Sequence, residues 1–255
     1  MSLPAIDWTR PWLATYRAIG EPLAARVAGG MSVSAALNEA LARQAPVSWE
    51  AGALRFVAQG ALPPGEAYEA FIRRTACVPT RDNLHDFFNG LMWLHWPALK
   101  AGLNAQQAAE IARGGVGPTR GALRDALTLF DENGALLCAP PALTESLRAR
   151  DWQRLFVERR PLWRAARLWL VGHALLEKLV RPRKAITAHV VAADAQGRPL
   201  APVAKPFWPL PVLGVPGWWP GNAAVAFYGD ATVFRPPGPG TVQVVSAGRK
   251  PSIDR

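Results

Sequence analysis

Residues 83–96 read Asn-Leu-His-Asp-Phe-Phe-Asn-Gly-Leu-Met-Trp-Leu-His-Trp, and this stretch decides how the chain folds. Apolar side chains fall on nearly every face of a helical repeat, so the segment is expected to be a helix sunk in the core. Thr80, Asp82 and Asn83 stand before it as cap candidates, and Pro97 follows it as a stop. Yet this apolar helix carries His85, Asp86 and Asn89, with His85 and Asn89 on the face shared by Phe88, Met92 and Trp96. A buried polar group without a partner costs about 1–3 kcal/mol. Three of them in one core helix form either a hydrogen-bonded network or part of a site.

A second polar pair lies further along. Residues 162–180 read as one long helix, started by Pro161 and stopped by Pro182. On its wheel His173 and Glu177 share the apolar side with Leu162, Trp169, Leu176 and Val180, while Arg160, Arg164, Arg167 and Lys178 lie opposite. A carboxylate on the apolar side needs a cation or strong donors. The four-residue spacing lets His173 and Glu177 converge on one point, as metal ligation or a His–carboxylate acid/base pair requires. The plainer reading is again a satisfied core network.

Outward from these helices, residues 8–45 are Ala-rich with helical spacing, 54–58 look extended, and 66–75 suit a short helix. A helix is expected over 104–113, followed by the glycine-rich link Gly114-Gly-Val-Gly-Pro. Arg120, Arg124 and Asp125 fall after that link at the start of another helix, where backbone N–H groups favour anions. The link lacks the Gly-Lys-Ser/Thr of a P-loop. Residues 126–137 are read as a hairpin turning at Asp131-Glu-Asn-Gly, with a helix capped at Asn133-Gly134 as the alternative. In the hairpin Asp131 sits at the rim of a polar turn, where ordinary turn chemistry also accounts for it. Residues 186–191 and 224–228 are read as strands. Pro, Trp and Gly crowd 199–220, a rigid irregular wrap.

Half of the 255 residues are apolar, enough for a full core. Cys77 and Cys138 are too far apart in sequence for a thiolate metal motif and are read as buried free thiols. No stretch is long and apolar enough to span a bilayer and no leader pattern opens the chain, so a cytoplasmic, non-membrane protein is expected. The net charge of +10 is uneven: residues 148–184 hold eleven basic residues against Asp151, Glu158 and Glu177. That field would attract a nucleic acid or an acidic partner, although solvated Arg-rich faces are also ordinary.

Three strings are similar to an uncharacterised proteobacterial family of unknown function. They are Val78-Pro-Thr-Arg-Asp-Asn-Leu-His-Asp-Phe-Phe-Asn-Gly-Leu, Leu127-Thr-Leu-Phe-Asp-Glu-Asn-Gly-Ala and Gly172-His-Ala-Leu-Leu-Glu-Lys. Pro209-Leu-Pro-Val-Leu-Gly-Val-Pro-Gly-Trp-Trp also fits it, and the resemblance covers about residues 55–236. It implies that the clusters belong to one unit and brings no activity. Where the resemblance implies two adjacent acids after Phe227-Tyr228, this chain has Gly229-Asp230.

The expected fold class is α+β, mainly α-helical: buried central helices, a few short strands and a Pro/Trp-rich C-terminal wrap. Residues 1–235 are expected to form one compact domain, with the wrap at 199–235 and a disordered tail at 236–255. The leading functional expectation is a hydrolase of a phosphoester or another small anionic substrate, with its site between the helices of His85 and His173. His85, Asp86, His173 and Glu177 are the catalytic candidates. Arg81, Asn89, Arg120, Arg124 and Asp131 are candidates for holding substrate. His85, His173, Glu177 and Asp131 would ligate one divalent ion, zinc, manganese or iron. The alternative is a non-enzymatic module that binds nucleic acid or an acidic partner through 148–184.

Overall fold

The computed structural model describes residues 3–44, 48, 49, 51–115 and 121–236. Eight helices and eight short strands alternate among them, an α+β arrangement dominated by helix. In chain order the helices are α1 (Arg17–Ala28), α2 (Val33–Leu41), α3 (Tyr68–Thr75), α4 (Leu84–His95), α5 (Pro97–Gly114), α6 (Ala122–Asn133), α7 (Pro141–Arg148) and α8 (His173–Leu179). The strands are β1 (Ser48–Trp49), β2 (Gly52–Ala53), β3 (Arg55–Ala58), β4 (Cys77–Thr80), β5 (Gly134–Cys138), β6 (Arg167–Leu170), β7 (Thr187–Ala192) and β8 (Trp208–Pro211). β1 and β2 form an antiparallel hairpin, β3 pairs parallel with β4, and the remaining four make a sheet in the order β6-β5-β7-β8. In that sheet β5 and β7 run parallel, and β6 and β8 are antiparallel to their neighbours.

The stretch 83–96 is the central helix, α4, with its cap. That cap is Asn83, whose side chain accepts from the Asp86 amide at 2.7 Å, satisfying one of the orphan donors of the first turn. The other two cap candidates serve elsewhere. Asp82 accepts from the Val33 amide at the start of α2 (2.7 Å), and the Thr80 hydroxyl donates to the Val78 carbonyl (2.9 Å). Every residue from Asp86 to Leu94 is buried. Gly90 admits α2: a Cβ there would stand 2.1 Å from Leu37 Cδ1. On its other faces α4 packs against α8 and α5.

Three expectations are corrected. Residues 126–137 form no hairpin: α6 continues to Asn133 and passes straight into β5 at Gly134, whose φ of −74° and ψ of 153° are already those of a strand. The helix alternative, capped at Asn133-Gly134, describes α6, whose C-cap is Gly134. The long helix over 162–180 does not exist either. A 3₁₀ stretch, Arg160–Ala165, leads into β6, and the only α-helix in that span is α8. The alternation Arg-Leu-Trp-Leu fits the pleat of β6, which pairs residue for residue with β5. Residues 224–228 are likewise no strand, since Val225–Gly229 form a 3₁₀ turn. Smaller differences are that α5 begins at Pro97 rather than near 104, and that 199–220 contains β8.

A single junction fixes how α6 meets α8. Gly134 O accepts from both the Val171 and Gly172 amides (3.0 and 2.9 Å). Gly172 lies so close that a Cβ would stand 2.5 Å from Gly134 N and 2.6 Å from Asn133 Cα. The end of α6 is thereby pinned to the start of α8. Lys178 adds a bond from α8 to Asn133 Oδ1 at 2.7 Å. The Trp-rich C-terminal segment covers the other side of the core, where Phe156 stacks on Trp152, Trp163 and Tyr228. The expected tail, from residue 237 onward, lies outside the described residues. Cys77 and Cys138 are free thiols, the first buried and the second partly so. No described helix is long and apolar enough to cross a membrane.

Candidate functional site

The contact of α4 with α8 brings the two histidines of the sequence analysis together. His85 Nε2 and His173 Nε2 are 3.0 Å apart, with the rings nearly perpendicular at 78°. His173 is almost wholly buried, whereas His85 reaches partly to solvent. Behind His85, Glu177 Oε2 stands 2.8 Å from Nδ1. An ionised carboxylate only accepts, so the proton of a neutral His85 sits on Nδ1 and its Nε2 carries a lone pair. Glu177 therefore orients His85 from behind, and it is half-exposed rather than buried. The helical wheel had it converge with its helix-mate His173, and the geometry gives it to the other histidine.

The end of α6, pinned to the start of α8, supplies two carboxylates to His173. Glu132 Oε1 lies 3.6 Å from His173 Nε2, and Asp131 Oδ2 lies 3.8 Å from Nδ1. Donor atoms of His85, Glu132 and His173 all fall within 4.8 Å of one another. Zinc–nitrogen bonds of about 2.0–2.1 Å place neighbouring ligands of a tetrahedral ion roughly 3.3 Å apart. The separations at His173 Nε2, 3.0 Å to His85 Nε2 and 3.6 Å to Glu132 Oε1, lie on either side of that value. Two imidazoles and one carboxylate, one side of the group open to a cleft, match the ligand chemistry of a catalytic divalent ion. The histidines also have carboxylates at their far nitrogens, Glu177 for His85 and Asp131 for His173, the outer-shell arrangement that orients metal-bound imidazoles. His173 Nδ1 is buried and has no hydrogen bond among the described residues, with Asp131 Oδ2 its facing carboxylate oxygen at 3.8 Å.

Asp131 is held in turn by Lys100. The buried ammonium lies 2.6 Å from Asp131 Oδ1 and 2.8 Å from Asn89 Oδ1. Asn89 Nδ2 then donates to the Tyr68 hydroxyl at 2.9 Å. Burial opposes the ionisation of Asp131, but Lys100 and the histidines outweigh it and hold its carboxyl below the usual range. Glu132 is likewise opposed by burial and held low by His173 and His85. Burial, with Asp86 next, pushes the Tyr68 phenol upward, so it remains a hydroxyl at neutral pH.

These groups line a cleft of ≈ 310 Å³. Arg81 and Asp86 stand in its wall as a bidentate pair: Asp86 accepts from Arg81 Nε (3.0 Å) and Nη2 (2.9 Å), and also from the Arg81 amide (2.6 Å). Asp86 is buried in this pair, while more than half of the Arg81 side chain remains exposed. Of the residues expected at a site, His85, Asp86, Asn89, Arg81, Asp131 and His173 all line this cleft. Glu177 stands behind it. Arg124 lies two turns before Asp131 on α6, outside the lining, and Arg120 lies outside the described residues. Glu132, Lys100, Tyr68 and Asn104 were missed.

Comparison with known proteins adds little chemistry. A family model described as "Protein of unknown function (DUF3025)" matches residues 54–201 and 196–237, well over half of the chain. No curated protein and no solved structure matches it.

Proposed function

Since this chain belongs to the DUF3025 family, whose description assigns no function, we propose from its own geometry that it is a metal-assisted hydrolase of a small substrate carrying one anionic group. The single observation behind this reading is the convergence of His85 Nε2, His173 Nε2 and Glu132 at the wall of a cleft. A divalent ion there would polarise a carbonyl and make a water acidic enough to attack near neutral pH. In the attack the water oxygen bonds to the carbonyl carbon, and the carbon–nitrogen or carbon–oxygen bond breaks. One water proton leaves with the amine or alcohol and the other with the carboxylic acid.

The chain's own residues divide the remaining work. Glu177 keeps His85 in the tautomer whose Nε2 lone pair faces the site. Tyr68 receives its hydrogen bond from Asn89, so its own hydrogen is available to the oxygen on which charge develops. Arg81, exposed at the wall with Nη1 outside the pair with Asp86, can hold one carboxylate of the substrate. Lys100 gives two of its three hydrogens to Asp131 and Asn89 and acts by holding Asp131 in position.

The rival expectation, polyanion binding through 148–184, has less support because several of its basic side chains are committed to bonds within the fold. Arg160 donates to the Asn222 carbonyl (3.0 Å), Arg159 to Ser146 Oγ (2.8 Å) and Lys184 to Asp230 (3.0 Å). The enzymatic reading is tested by loading the protein separately with zinc, manganese and iron(II). Each form is assayed on para-nitrophenyl esters and anilides bearing a carboxylate, with para-nitrophenyl phosphate alongside. Turnover that a chelator removes, and that Glu132→Ala abolishes, is expected. Metal-loaded protein inert on the whole panel, or turnover indifferent to chelator and variant, would contradict it.

A further inference from the structure

The end of the cleft furthest from the histidines has no part in that mechanism, yet it is built of buried polar groups. Lys100, Asn104 and Gln107 follow one another along one face of α5, so Asn104 lies roughly 6 Å and Gln107 roughly 10 Å beyond the lysine that steadies Asp131. Asn104 and Gln107 are both more than nine-tenths buried, and both line the cleft. The orientation of the Asn104 amide is fixed by a partner that can only accept: Nδ2 donates to the Glu69 carbonyl at 2.9 Å. Its Oδ1 is therefore turned away from that carbonyl, and it has no hydrogen-bond partner among the described residues. Gln107 gives one Nε2 hydrogen to Thr128 Oγ1 at 3.4 Å, and its carbonyl oxygen is an acceptor. Glu69, an acidic residue, lines the same cleft.

This end thus offers an unpartnered acceptor at Asn104 Oδ1 and negative charge at Glu69. The whole lining repeats the bias, setting Glu69, Asp86, Asp131 and Glu132 against Arg81 and Lys100. One divalent ion would bring that balance to neutrality, which leaves no surplus positive charge for a phosphate dianion.

We propose that the inner end of the cleft, at Asn104, Gln107 and Glu69, is a subsite for a protonated amine, so that the substrate is a small zwitterion. It rests on the reading of His85, His173 and Glu132 as a metal centre. The amine lies several bonds from the scissile carbonyl, because a full turn of α5 separates Asn104 from the Lys100–Asp131 pair beside His173. The carboxylate at Arg81 and the amine at Asn104 then select the substrate from two sides.

A pair of metal-seeking probes of equal length tests this. Zinc-loaded protein is titrated calorimetrically with ω-aminohexanohydroxamate and with heptanohydroxamate, which differ by an ammonium in place of a methyl group. The aminated probe should bind about tenfold tighter or more, as a buried hydrogen bond to a charged group implies. Asn104→Leu should erase that preference without weakening the methyl-ended probe. Glu69→Gln, which needs no repacking of the core, should reduce it. Equal affinity of the two probes for the wild type overturns the amine subsite and leaves the metal centre standing, as does a preference that survives in both variants. Protein that takes up no zinc overturns the subsite together with the reading it rests on.

Discussion

His85 Nε2 and His173 Nε2 meet at 3.0 Å, although 88 positions separate them in the chain. With the His85 proton drawn to Nδ1 by Glu177, a proton held between the two Nε2 atoms or an ion shared by both rings makes that contact favourable. The carboxylate of Glu132 beside the same nitrogen of His173 would add a ligand to a shared ion. Glu132 and Glu177 consequently hold different positions around one pair of rings, and they should respond differently to substitution.

Glu177→Gln keeps the shape of the side chain and removes its charge. It should weaken metal binding by about 10–100-fold, the range for lost outer-shell partners, without changing the stoichiometry at saturation. Competition with a chromophoric chelator measures this. An unchanged affinity would show that Glu177 does not orient His85.

Lys100→Met should destabilise the fold by about 3 kcal/mol in urea denaturation, because it strands Asp131 in a setting where the carboxylate has been held charged by that ammonium. Adding Asp131→Asn should recover part of the loss. A single variant as stable as the wild type would mean that water already solvates Asp131 well.

Gly90→Ala should also cost stability, on the order of 1–3 kcal/mol. The new methyl group would meet the fully buried Leu37 at 2.1–3.0 Å, and α2 would have to lift from α4. Thermal unfolding of the variant alone and combined with Leu37→Ala separates this steric cost from any change in helix propensity, since the smaller partner should give back the overpacking.

Stability should decline as pH falls below neutrality, before any carboxylate titrates. Burial holds the proton affinity of His95 below its ordinary value of 6.5, and burial followed by Lys205 and Lys178 does the same at His189. A histidine depressed in the folded state favours folding above its unfolded value. That contribution is lost as pH falls from 6.5 toward the folded one. His95→Phe preserves the edge-on contact with Tyr16 at 5.0 Å and should lessen the drop in Tm between pH 7 and pH 5. An identical drop would assign the effect elsewhere.

The sequence revealed the centre of this fold better than its surroundings. Apolar residues all around 84–94 marked α4 as core, and the polar exceptions His85, Asp86 and Asn89 do line the cleft. Glu132 was missed because Asp131-Glu-Asn-Gly satisfies a turn on local chemistry alone. The signal for α6 lay just upstream, in the helical spacing of Ala126, Leu127 and Phe130, all buried. Lys100 was missed because Pro97 was read only as the stop of α4, whereas it occupies the first turn of α5, where an N–H has no partner within the helix. The long helix over 162–180 failed because wheel geometry was imposed across Arg167–Leu170, whose alternation belongs to a strand. His173 and Glu177 survived that error since both fall on α8. No local pattern could have given Glu177 to His85, because that contact is made by the packing of α4 on α8.

The central claim is that His85, His173 and Glu132 hold one divalent ion, and cobalt(II) substitution tests it most directly. The wild type should take up one equivalent and show the visible absorption of a low-coordinate site with nitrogen and oxygen ligands. Glu132→Ala and His173→Ala should lose that band while remaining folded, and Glu177→Gln should keep it at saturating cobalt. Wild-type protein without stoichiometric cobalt, or a band retained in Glu132→Ala and lost in Glu177→Gln, would contradict the account.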